Sequence, residues 1–203
     1  MSSNQITQNI WAVGRNYKAH AKEMNAPIPK SPLFFLKSGG CLNSEPMIQL
    51  PPWSNDIHHE IELAFKVDKN LNFSAVTLAL DLTARDHQES AKKLGQPWTL
   101  AKSFKNACPI GAWIPIAEFK NLDLIKFDLS INNSIAQQGL AEDMVFKPAA
   151  LLEFVKKHFN LLPNDIILTG TPEGVGPIHS GDILDAKLHS ENRTLLTCHW
   201  DAI

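Results

Sequence analysis

Apolar and polar residues alternate most regularly between positions 57 and 67. Ile57, His59, Ile61, Leu63, Phe65 and Val67 fall on one side of an extended chain, and His58, Glu60, Glu62, Ala64 and Lys66 on the other. A period of two predicts a strand with one buried face. Shorter apolar runs predict further strands at 10–14, 75–82, 107–115, 165–169, 183–188 and 194–200, with another apolar run at 33–36 that ends in a loop at 37–40. Residues 124–132 alternate as Ile125, Phe127, Leu129 and Ile131 against Lys126, Asp128 and Ser130, and Asn132-Asn133 suits a tight hairpin turn. Two segments carry helix signals. Residues 148–159 begin with Pro148 and run out before Asn160. Residues 86–94 begin with Asp86 and Glu89, spaced as a capping box, and stop at Gly95. Residues 16–24 read as a short helix or an ordered loop before Pro27, Pro29 and Pro32.

Composition narrows this further. The chain has 203 residues, 44% hydrophobic and 20% charged, which suits a globular protein and argues against disorder or a coiled coil. Thirteen prolines favour turns and extended segments over a helical bundle. One mainly β, α+β domain spanning 1–203 is expected. The net charge of −2 lacks the basic face that nucleic-acid binding needs. No stretch of about 18 apolar residues is present, so no membrane span is expected. Residues 1–9 are polar with no leader pattern, and Cys41, Cys108 and Cys198 are too scattered for a disulfide framework or zinc site. A cytoplasmic protein with three reduced thiols is the expectation.

Four groups of residues could carry chemistry. Glu60 and Glu62 lie two apart on the predicted strand, about 7 Å between Cα atoms, pointing the same way. A divalent cation between them would offset their repulsion; a solvated edge strand gives the same pattern. Asp81 ends an apolar run, where ligand-binding groups concentrate, and would complete an all-oxygen site for Mg²⁺ or Mn²⁺. His20 and Glu23, three apart, are neighbours on a helix, an arrangement that orients an imidazole as a general base; a surface helix carrying the two by chance gives the same spacing. Residues 170–177, rich in glycine and proline, form a loop whose amides could clasp an anion. By contrast, Ser90-Ala91-Lys92-Lys93 is explained by a helix surface, and His59, on the apolar face, by a hydrogen-bonded core position.

Taken in order, Gly14-Arg15-Asn16-Tyr17 with His20 and Glu23, His59-Glu60-Ile61-Glu62, Asp81-Leu82-Thr83-Ala84-Arg85-Asp86 with Gln88, Pro97-Trp98-Thr99-Leu100-Ala101-Lys102, and Thr169-Gly170-Thr171-Pro172-Glu173-Gly174 resemble the fumarylacetoacetate hydrolase family. The similarity is to its short acylpyruvase branch, which includes oxaloacetate decarboxylases and tautomerases. The resemblance implies a mixed β-sandwich roll, commonly a homodimer. It implies that Glu60, Glu62 and Asp81 hold one Mg²⁺ or Mn²⁺, and that His20 and Glu23 form the catalytic dyad with Lys102 as a further catalytic cation. It implies substrate contacts from Arg85, Gln88, Thr171 and Lys37. The main functional expectation is hydrolysis of acylpyruvates or related 2,4-dioxo acids. The alternatives are decarboxylation or keto–enol tautomerisation of oxaloacetate, and a non-catalytic 2-oxo acid binder.

Overall fold

The computed structural model describes residues 6–203. The reading of residues 1–5 as part of a polar, leaderless segment lies outside the described residues. The larger elements are β1 (Asn9–Gly14), α1 (Lys18–Glu23), β2 (Leu33–Ser38), β3 (Ile57–His59), β4 (Ile61–Val67), β5 (Phe73–Leu80), α2 (Arg85–Leu94), α3 (Thr99–Lys102), β6 (Ile125–Ile131), β7 (Ser134–Leu140), α4 (Pro148–His158), β8 (Ile166–Leu168), β9 (Ile183–Ser190) and β10 (Arg193–Ala202). The protein is mainly β, with few helices.

Two sheets dominate. The six-stranded sheet runs Ile114–Pro115, β5, β4, β8, β1, β2. The five-stranded sheet runs β7, β6, β9, β10, Met47–Ile48. Alternate residues of β1 show the layering. Ile10 and Ala12 join the large core shared with Phe127, Leu129, Leu184 and Trp200 of the second sheet, whereas Trp11 and Val13 face Leu151, Leu152 and Val155 of α4. Ile166 and Leu168 divide from Ile167 in the same way. The six-stranded sheet is thus covered on both faces, so its central strands are buried on both sides: all of β8 is buried and apolar, and in β4 only Lys66 is less than fully buried.

That corrects the reading of residues 57–67. The segment is two strands, not one. It breaks at Glu60, where β3 pairs with Thr83–Ala84 and Gly176–Pro177 in a separate small sheet while β4 enters the large one. Its polar side is not solvated: Glu60, Glu62 and Ala64 are all buried. The 107–115 strand shrinks to Cys108–Pro109 and Ile114–Pro115. Strand β2 runs on through Lys37 and Ser38, where a loop was expected. The helix at 86–94 starts one residue earlier, with Ala84 as its N-cap, so no capping box forms; Asp86 instead accepts hydrogen bonds from Ser54 and Asn55. Gly95 ends the helix in the left-handed region at φ 66°, as expected. Asn132 and Asn133, both at positive φ, turn the β6–β7 hairpin. The three cysteines are buried and unpaired. Among the described residues no helix is long and apolar enough to cross a membrane.

Candidate active site

The break at Glu60 creates the site. Antiparallel pairing of β4 with β5 sets Ile61 opposite Leu80, so Asp81, one residue past β5, lands beside Glu60. Asp81 N–H donates to the Glu60 carbonyl at 2.8 Å, fixing that placement. The side chains of Glu60, Glu62 and Asp81 each offer an oxygen within 4.8 Å of the other two, and all three residues are buried.

Three buried acids need counter-charge, and three cations supply part of it. Arg85 Nη2 donates to Glu60 Oε1 at 2.6 Å. Lys102 Nζ bridges Glu60 Oε2 at 2.8 Å and Asp81 Oδ2 at 2.5 Å. Lys37 Nζ donates to Asp81 Oδ1 at 2.7 Å and to the Lys102 carbonyl. Burial pushes Glu60 upward, but the Lys102 and Arg85 charges hold it well below the usual carboxylate range. Burial also opposes the charge on Lys37, but Asp81 and, less, the Cys41 and Cys108 thiols together outweigh it and push Lys37 upward. Glu62 differs. It accepts the Gly170 N–H at 2.6 Å and has no ion pair with a side-chain cation among the described residues. Burial, followed by the Asp81 and Glu60 charges, pushes it well above the ordinary range.

This donor set suits a hard divalent cation. Its oxygens are anionic, close together and shielded from water. The Lys102 ammonium already bridges two of the acids, so the cluster draws positive charge to its centre, while Glu62 still lacks any. A dication held by Glu60, Glu62 and Asp81 would supply that missing charge.

A cavity of about 400 Å³ opens over the cluster. His20 lines it; its Nδ1 donates to Glu23 Oε2 at 3.0 Å, which leaves Nε2 as the free ring nitrogen. Glu23 is fixed in turn by the Gly174 N–H on Oε1 at 3.0 Å. The segment carrying the dyad has firmer anchors than its polar sequence implies. Tyr17 and Ala21 are buried, and Asn16 donates from Nδ2 to the Phe146 and Thr169 carbonyls and accepts from the Phe146 N–H.

The predicted residues divide as follows. His20, Glu60, Glu62, Asp81, Arg85, Gln88, Lys102 and Thr171 all line the cavity. Glu23 stands behind His20. Lys37 does not line the cavity: fully buried, it supports Asp81 from the far side, because β2 carries it under the cluster rather than into a loop. The Thr171 hydroxyl is committed inward, donating to the Ile61 carbonyl and accepting from Gln137 Nε2. The amides of the 170–177 loop clasp the protein's own carboxylates, through Gly170 to Glu62 and Gly174 to Glu23. His59 is the buried core residue expected.

Gln137 was missed. Its Oε1 accepts from His59 Nδ1 at 2.9 Å and from the Ile61 N–H at 3.0 Å, while Nε2 donates to Thr171 and to the Pro172 carbonyl. One buried amide thus ties the break between the two glutamates to the loop that holds the dyad. Its signal was faint: one of two adjacent glutamines, Gln137 and Gln138, in β7, the returning strand of a hairpin whose turn was legible. Arg15, Lys92 and Trp98 also line the cavity without having been singled out for chemistry.

Residues 9–197 match the fumarylacetoacetate (FAA) hydrolase C-terminal family. The chain belongs to this family. Its fold matches solved family structures. Among FAA hydrolase relatives, oxaloacetate tautomerase YcgM of Escherichia coli is 39% identical over 200 residues, covering 91% of this chain and 90% of the relative. A mitochondrial oxaloacetate decarboxylase of Dictyostelium discoideum is 39% identical, covering 87% of each. The structure of Pseudomonas aeruginosa fumarylpyruvate hydrolase with Mn²⁺ and pyruvate superposes with a TM-score of 0.89 at 25% identity, covering 100% of this chain and 93% of that one.

Proposed function

We propose that this chain is an oxaloacetate keto–enol tautomerase that works with one Mg²⁺ or Mn²⁺. The observation that carries the reading is His20: a buried imidazole held through Nδ1 by Glu23, lining the same cavity as Lys102 and the acid cluster. The names of relatives at 39% identity, oxaloacetate tautomerase and decarboxylase, favour oxaloacetate over acylpyruvates, the main expectation from sequence.

Glu60, Glu62 and Asp81 would hold the ion. When bound, it supplies Lewis-acid stabilisation of negative charge on the 2-oxo oxygen of a 2-oxo acid. His20 takes a proton from C3 at Nε2. The C–H electron pair becomes the C2=C3 double bond, and charge moves to the oxygen. Glu23 stabilises the imidazolium and keeps its ring oriented. Lys102 brings a fixed positive charge to the cavity where negative charge develops. Return of the proton to oxygen gives the enol, and the reverse path gives the ketone. Arg85 and Gln88, hydrogen-bonded to each other at 2.7 Å, position the polar wall.

Hydrolysis of 2,4-dioxo acids is the second reading. The apolar wall of Val13, Met24, Leu33, Phe35 and Trp98 favours it, since an acyl group larger than oxaloacetate would find contacts there. A panel decides between them: oxaloacetate enol decay, and cleavage of acetylpyruvate and fumarylpyruvate, each with Mg²⁺ or Mn²⁺ and with EDTA. The tautomerase reading predicts metal-dependent oxaloacetate turnover with kcat/KM orders of magnitude above either cleavage. The reverse ranking overturns it, and binding of oxalate without turnover of any 2-oxo acid would point to a binding protein.

A further inference from the structure

Charge along the cavity wall is unevenly paired. Of its cations, Arg85 and Lys102 are bonded to the acids Glu60 and Asp81. Arg15 and Lys92 also line it, and neither has a carboxylate within 4 Å among the described residues.

Lys92 is held by its side chain and Arg15 by its backbone. Arg85, Gln88 and Lys92, spaced by three and four residues, share one face of α2. Gln88 Oε1 accepts from Arg85 Nη1 at 2.7 Å and from Lys92 Nζ at 3.2 Å, so Lys92 stands one shared acceptor from Arg85. The Lys92 ammonium also lies 5.3 Å from the centre of the Trp98 ring. Arg15 sits at φ 59°, a left-handed conformation that a side chain of this size adopts only when its surroundings hold it. The neighbouring Asn16, pinned by its three hydrogen bonds, does so. Burial first, then the Arg85, Lys102 and Arg15 charges, lower the pKa of Lys92, which places it within the field of these cations. An arrangement of this kind leaves positive charge without a carboxylate partner on the wall of the same cavity that the acid cluster lines.

We propose that Arg15 and Lys92 form a subsite for a second carboxylate, so that the cavity selects dianionic 2-oxo acids over monoanionic ones. The inference rests on the reading above, which places the 2-oxo acid end at the Glu60–Glu62–Asp81 cluster. The far carboxylate of a four-carbon dianion then pairs with Arg15 and Lys92. A monoanion of the same shape fills the cavity and desolvates both cations without pairing either. Charge-assisted hydrogen bonds of this type separate two ligands by roughly 10- to 100-fold.

The test compares oxaloacetate with its 4-methyl ester, which keeps the 2-oxo acid and lacks the far charge. Affinity for each is read on Mg²⁺-loaded protein by tryptophan fluorescence, and kcat/KM for tautomerisation is measured alongside. The parent should prefer oxaloacetate by roughly 10- to 100-fold in affinity. Lys92→Met and Arg15→Met should each remove most of that preference by weakening oxaloacetate binding, with ester affinity within about twofold, and Lys92→Arg should retain it. Equal affinity of the parent for both ligands, or equal losses for both in the variants, overturns the subsite. If the parent prefers the dianion but tautomerises neither compound, the tautomerase reading fails and the subsite stands. If it tautomerises both with equal affinity, the subsite fails and the tautomerase reading stands.

Discussion

Glu60 and Glu62 look alike in sequence and sit in opposite electrostatic circumstances. Glu60 neutralises Arg85 and Lys102, so Glu60→Gln leaves two buried cations under-compensated and should destabilise the protein by about 3–5 kcal/mol. Glu62 is the acid in excess. Its folded-state pKa is raised, so its contribution to stability is complete below its ordinary value of 4.5 and is lost as pH rises through the raised value. In EDTA, Glu62→Gln should therefore match the parent at or below about pH 4.5 and melt about 2–6 °C higher at pH 8. The same substitution should abolish the stabilisation that added Mg²⁺ gives the parent. A melting curve series against pH checks both; equal behaviour of the two variants would contradict the assignment of the missing charge to Glu62. Gln137 acts on the same glutamates from behind. Gln137→Glu keeps the acceptor for Ile61 and His59 but turns a donor toward Pro172 into an acceptor, at a cost of about 1–3 kcal/mol. If Gln137 aligns Glu60 and Glu62, Mg²⁺ affinity should fall with it; unchanged affinity in a destabilised protein would make it a structural residue only.

Three short elements hold the site together, and they mark the limit of what the pattern of residues reveals. The alternation at 57–67 locates the strand and its acids, yet hides the break at Glu60, because both halves remain extended and only their pairing partners change. Buried acids look like a solvated face when read by period alone; the cations that neutralise them come from β2, α2 and α3, far away in sequence. Helix α4 was legible because Pro148 at its start and Asn160 beyond its end are local signals. The dyad was legible as a pair, but not its anchor. Gly174, at φ 92°, donates its N–H to Glu23, and a Cβ there would come within 2.2 Å of the Ala136 carbonyl oxygen. Gly174→Ala should cost about 1–3 kcal/mol and lower kcat more than it raises KM, since it displaces the group that fixes Glu23. Normal kcat in a destabilised variant would show that the dyad does not depend on this loop.

At the scale of the molecule, the six-stranded sheet is a rigid plate between α4 and the five-stranded sheet, and the acid cluster lies at the edge where β4 and β5 leave it. Chemistry is therefore assembled from strand ends and the first turns of helices on a fully packed core, a placement that limits motion of the ligand oxygens. The family motifs, read in order, carried the fold and the acid cluster; the balance of charge around the cavity is set by the three-dimensional fold, because it depends on which cations reach which acids. In the proposed reaction His20 moves a proton in a cavity whose other residues hold the substrate. The measurement that tests it most directly is oxaloacetate tautomerisation by Mg²⁺-loaded His20→Ala, set beside its affinity for oxalate. In that variant kcat should fall roughly 10²–10⁴-fold while oxalate affinity stays within about threefold of the parent. An unchanged kcat, or equal losses in kcat and oxalate affinity, would contradict it.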